Sequence, residues 1–132
     1  LSQELETVTK VTIYKVSLQG IELRIDVTLK NPSAGSVHVK QPFVKMIYRD
    51  STIATSQVKD VNITVAKHSE TKLQPIMINI SFMTLATKFP ALLTEYRNTG
   101  QINMVVKTMT TINDTLPYTK TETMTLGGGK KA

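Results

Sequence analysis

From Ile21 to Leu29 every odd position is apolar, and from Glu22 to Lys30 every even position is polar or charged. A period of two is the signature of a β-strand, whose successive side chains point to opposite faces. Asn31-Pro32-Ser33 ends the run. The proline removes a backbone donor and holds Asn31 extended, while the Asn and Ser side chains reach nearby backbone groups and close a turn. The segment therefore predicts a strand with one buried and one wet face. On the wet face, Asp26 reads as a solvated carboxylate.

The same logic predicts strands over Val8–Leu18, Ile53–Ser56, Val61–Val65, Leu73–Phe82, Gln101–Thr111 and Tyr118–Leu126. Val37–Tyr48 reads as one long or broken strand, in which Pro42 marks an edge position or a bulge. Arg49–Ser51 and Lys67–Glu70 read as polar turns, and Asn113-Asp114 as a hairpin-like turn. Leu85, Phe89, Leu92, Leu93 and Tyr96 fall on a helical stripe instead. Ser81 or Thr84 is its candidate cap and Asn98-Thr99-Gly100 its stop. Pro90 lies inside the stripe, which moves the helix start toward Lys88 or Phe89 and leaves a separate turn before it. These elements describe an all-β chain: an antiparallel β-sandwich of about seven or eight strands with one short helix near residues 84–97 plugging an open end. Residues 1–126 are expected to form a single domain and 127–132 a flexible tail.

A length of 132 residues suits one domain with a real core. There is no cysteine, which excludes disulfides, thiolate metal sites and a cysteine nucleophile. The net charge of +6 comes from basic residues spread evenly on both sides of Ala66. Dispersed lysines on wet strand faces are solubility devices, and specific nucleic-acid binding, which needs clustering, is not expected. No stretch approaches the ~20 apolar residues of a membrane helix. The chain starts at Leu1 rather than at methionine, and an anchoring or targeting segment ahead of it is an open expectation.

Candidates for chemistry are few. His38 and His68 are the only histidine bases, and both sit beside lysines at predicted turns or strand edges. No spacing suits a transition metal or a calcium loop, so neither metal nor cofactor is expected. Gly127-Gly128-Gly129-Lys130 lacks the remaining residues of a phosphate loop. Three sequons begin at Asn62, Asn79 and Asn113, a number that chance explains in a threonine-rich chain.

One resemblance spans roughly Val8 to Leu126. Val27, Leu29, Asn31, Pro32 and Ser33, followed by Ile47, Tyr48, Ile53, Ala54, Thr55 and Ser56 and then the strand Val61–Val65, form an ordered set. The set resembles the water stress and hypersensitive response domain of the group-2 late embryogenesis abundant, or desiccation-related, proteins. The resemblance implies an immunoglobulin- or fibronectin-III-like sandwich and no enzymatic activity. It also implies a role in dehydration and stress, often with tethering to a membrane or cell envelope. Asn31, Pro32, Ser33, Tyr48, Ala54, Thr55 and Ser56 carry the motif as structural residues.

The favoured expectation is a non-enzymatic module working through surface contacts with protein partners or copies of itself. The first alternative is a structural component of a virion or envelope assembly, pairing through edge strands near Pro42 and Tyr118–Leu126. The second is a binder of lipid or another apolar ligand, with Met77, Met83, Met104, Met109 and Met124 lining a gap between helix and sheets.

Overall fold

A computed structural model describes residues 5–127. Strands β1 (Glu6–Val16) and β2 (Gly20–Asn31) form a hairpin, and β2 keeps the alternation read from the sequence. Ile21, Leu23, Ile25, Val27 and Leu29 are all buried, while Glu22, Arg24, Asp26, Thr28 and Lys30 stay partly wet. The far side of β2 pairs with β7 (Ser69–Lys72) at Thr28–Asn31 and with β8 (Ile76–Ser81) at Gly20–Ile25. Between β7 and β8, the Leu73 amide still donates to the Val27 carbonyl at 3.0 Å. The two pieces are one strand position, interrupted near Pro75, which has no amide to donate. Gly20 is required where β2 meets β8, because a Cβ there would lie 2.3 Å from the Ile80 carbonyl oxygen.

The second sheet is built the same way. Strands β3 (Val37–Lys40) and β4 (Phe43–Tyr48) lie on one side of β9 (Gln101–Ile112), and β10 (Leu116–Gly127) lies on the other. Beyond them, β5 (Ser51–Thr55) pairs with β4 and β6 (Asn62–Val65) with β3. Counting each interrupted strand once, a sheet of three positions (sheet A) faces a sheet of four (sheet B), all antiparallel. This is the expected immunoglobulin/fibronectin-like sandwich. Pro42 is buried at the break between β3 and β4, inside sheet B, so it marks an interruption and not an edge. β7 falls partly on the segment read as a polar turn.

Two helices, not one, close an end of the sandwich. α1 (Phe82–Lys88) starts at Ser81, whose Oγ accepts the Thr84 amide at 3.0 Å. α2 (Pro90–Thr99) begins afresh at Pro90 and ends on Gly100 in the left-handed region at φ 74°. Phe89 precedes the proline and sits at φ −136°, ψ 56°, outside the helical basin, which splits the stripe. Leu85, Leu92 and Leu93 are buried and join the cluster shared by both sheets.

The sandwich is sealed where β1 faces β9 and β10 by polar contacts. The Thr9 and Thr108 hydroxyls meet at 2.7 Å, and the Lys120 ammonium donates to the Thr7 carbonyl at 2.9 Å. Lys120 and Glu122 are partly buried on the inward side of β10, and Glu122 Oε1 is buried with no hydrogen-bond partner among the described residues. Inward-pointing charges are a device that discourages edge-to-edge pairing. Gly127 is the last residue of β10, while 128–132 of the expected tail lie outside the described residues.

Candidate binding surface

The motif residues form two separate clamps. Asn31 is 1% exposed, and its amide donates to the carbonyls of Gly35, Val65 and Ala66 at 2.8, 3.1 and 3.2 Å. Its Oδ1 accepts from the Ser33 amide and hydroxyl. Its nitrogen ties β2 to the end of β6 and its oxygen holds the local turn, while Pro32 is exposed there. The second clamp joins β4 to its neighbours. The Ser56 hydroxyl accepts the Val44 amide at 2.7 Å, and the Tyr48 hydroxyl donates to Glu95 of α2 at 3.0 Å. Burial, followed by that hydrogen bond, raises the Tyr48 pKa above its ordinary value. Ala54 and Thr55 lie in β5 beside it.

The remaining sequence candidates do not converge. His38 and His68 are both exposed, and the His38 ring meets Thr64 at 2.9 Å. Among the described residues no group of three His, Cys, Asp or Glu side chains is arranged to hold a metal. No helix in the described residues is long and apolar enough to cross a membrane. The five methionines do not line one gap. Met104 is core, Met124 packs against the core, Met109 faces outward on β9, and Met77 and Met83 are exposed elsewhere at 40% and 76%. Met104 and Met124 are cross-strand partners on the inward side, and the alternation or stripe of their own elements sends the other three to different surfaces.

The two outer faces of the sandwich differ in chemistry. On sheet A, Lys30 lies between Glu6 and Glu70, and Lys10 lies opposite Asp26. Arg24 grips Asp26 with three hydrogen bonds of 3.1–3.2 Å, and Lys30 reaches Glu70 at 3.7 Å. Sheet B presents three outward rows. Met109 stands opposite Phe43, Lys107 opposite Lys45, and Val105 opposite Ile47. These rows are flanked by Thr119, Thr121 and Thr123 of β10 and by Thr52 and Thr55 of β5. Alternation puts all of them on the wet side, since Val44, Met46, Val106 and Thr108 between them are fully buried. No carboxylate stands in these rows.

At one end of this face a groove of about 560 Å³ runs between the sheet and the β5–β6 link. Phe43, Met109 and Pro117 line it, and Val58, 65% exposed, overhangs it. The link is held by the Gln41 amide donating to Val61 at 2.7 Å and by the ion pair of Lys40 with Asp60 at 2.7 Å. That hydrogen bond raises the Lys40 pKa and lowers that of Asp60. The sequence revealed neither the rows nor the groove. Alternation identified the wet residues, but cross-strand register decides which of them become neighbours.

No protein-family model matches the chain, and no curated protein sequence matches it. Solved structures do. A protein from Archaeoglobus fulgidus matches with a TM-score of 0.59 at 14% identity, over 97% of this chain and 100% of its own. A sporulation control protein from Bacillus subtilis matches at 0.55 and 12% identity, over 93% of this chain and 50% of its own. A protein provisionally described as late embryogenesis abundant (LEA) matches at 0.51 and 14% identity, over 96% of this chain and 73% of its own. At such identities the likeness establishes a shared sandwich fold.

Proposed function

We propose that the chain is a non-enzymatic, stress-related β-sandwich module of the water stress and hypersensitive response type, acting through protein contacts on the outer face of sheet B. The observation that carries this reading is the asymmetry of the faces. Sheet A sets Arg24 and Lys30 against carboxylates, whereas sheet B displays lysines, threonines and apolar side chains with no carboxylate in its three central rows. A face with unneutralised cations and half-buried apolar groups has free energy to gain from a partner. Likeness of fold to a LEA-described protein supports the stress assignment.

The test is protection of a labile enzyme through drying or freeze–thaw cycles. The expected result is retained activity at near-stoichiometric ratios, beyond that given by an inert basic protein of the same size. Equal protection by the inert protein contradicts the proposal.

A second reading, a component of a larger assembly, is favoured by the opposite end of the molecule. Tyr14, Val16 and Leu18 of the β1–β2 hairpin are 60%, 48% and 100% exposed, close to the exposed Met83 at the start of α1. Light scattering separates the two: a monomer at working concentration contradicts self-assembly through this end.

A further inference from the structure

Lys45 and Lys107 stand directly opposite each other on β4 and β9. Cβ atoms of such a pair lie about 4.5–5.5 Å apart, and like charges there repel. Neither lysine takes part in any of the ion pairs among the described residues. Their cross-strand neighbours in the row are Thr121 and Thr55, which have no charge to neutralise them. Two adjacent ammonium groups facing water will take one carboxylate between them, each donating a charge-assisted hydrogen bond.

The rows on either side are apolar: Val105 with Ile47, and Met109 with Phe43. Successive rows are two residues apart along the strands, about 6.6–6.8 Å. An extended peptide presents its alternate side chains at the same interval. One whose positions i, i+2 and i+4 are apolar, acidic and apolar matches the three rows in both spacing and charge. The threonine columns of β10 and β5 lie alongside, with hydroxyls able to bond the docked backbone.

Building on the reading of sheet B as a contact face, we propose that this face docks extended acidic segments of the pattern apolar-x-Asp/Glu-x-apolar, with Lys45 and Lys107 clasping the carboxylate. A segment of this kind is what an acidic client protein exposes when it begins to unfold. A membrane surface is a poorer fit, because Phe43, Ile47, Val105 and Met109 are only partly exposed.

The test uses a synthetic peptide with valine at the second position, glutamate at the fourth, isoleucine at the sixth and serine elsewhere. It is titrated into the isotope-labelled full chain at low salt. Amide shift changes are expected on β4, β9 and β10. Replacing the glutamate by lysine, or the protein's lysines by Lys45→Gln with Lys107→Gln, should weaken binding at least tenfold. The doubly substituted protein should keep or raise its Tm, so that weaker binding cannot be ascribed to misfolding. Shifts confined to sheet A or the β1–β2 hairpin, or equal binding by the doubly substituted protein, would overturn the proposal. So would the absence of peptide binding at millimolar concentration alongside lysine-dependent sedimentation with phosphatidylglycerol vesicles. Client protection that survives both substitutions would sink the clasp while leaving the protective module standing.

Discussion

The two wet faces of the sandwich are made by one rule and end in different electrostatic states. In both sheets alternation sets a buried row of side chains against a partly exposed one. On sheet A the strand register then sets acids against bases: Glu6–Lys30–Glu70 across one row, Lys10–Asp26 across another. On sheet B register sets Lys45 against Lys107. The first arrangement neutralises itself and contributes a little to stability. The second is slightly destabilising alone and gains when an anion arrives. The comparison teaches that a dispersed set of lysines in a sequence can become a local feature once pairing brings strands from distant parts of the chain together.

The strongest way to break the comparison is to loosen the frame that holds both faces. Asn31→Ala leaves the Gly35, Val65 and Ala66 carbonyls without their donor, and should cost roughly 2–4 kcal/mol in urea unfolding. Loss of about as much as a surface residue would contradict its role as the β2–β6 clamp. Tyr48→Phe removes the tie between β4 and α2 and should cost about 1 kcal/mol. It also has a pH signature. The folded-state pKa of Tyr48 is raised, so its stabilisation is present below the ordinary tyrosine value of about 10 and is lost as pH rises toward and through the folded value. The alkaline decline of stability should therefore be shallower in Tyr48→Phe.

The faces themselves predict effects of opposite sign. Arg24→Gln on sheet A breaks a partly exposed ion pair and should cost about 0.5–1 kcal/mol, less at high salt. Lys45→Thr on sheet B relieves repulsion and should be neutral or stabilise by up to about 0.5 kcal/mol. The smallest effect concerns the groove. Asp60 has a lowered pKa, so its hold on Lys40 is present above the ordinary carboxylate range and is lost as pH falls through the folded value. Lys40 has a raised pKa, so its side of the tie persists below the ordinary lysine value and is lost only at high alkalinity. Protection of the Gln41 amide, which donates to Val61, should fall relative to its intrinsic exchange rate on acidification below about pH 4 before the sheets open.

Much of the scaffold was legible because alternation is a local property. Ile21–Asn31 emerged as β2 with its expected faces, Pro42 did interrupt Val37–Tyr48, and Ser81 and Gly100 did bound the helical region. Ser69–Lys72 was missed because it has no apolar residue, and it is a strand only through backbone pairing with Thr28–Asn31. The helix split was half-visible: Pro90 announced a break, but not that Ser81 would cap a separate α1. The candidate surface was not legible at all. Lys45, Lys107 and their flanking threonines become one feature only through the registers of β4, β5, β9 and β10.

The central claim is that location, not net charge, makes sheet B the contact face. The direct measurement compares two doubly substituted proteins of identical net charge, Lys45→Gln with Lys107→Gln and Lys10→Gln with Lys72→Gln, in the enzyme-protection assay. The account predicts that protection collapses in the first and persists in the second. Equal loss in both, or a larger loss in the second, would contradict it.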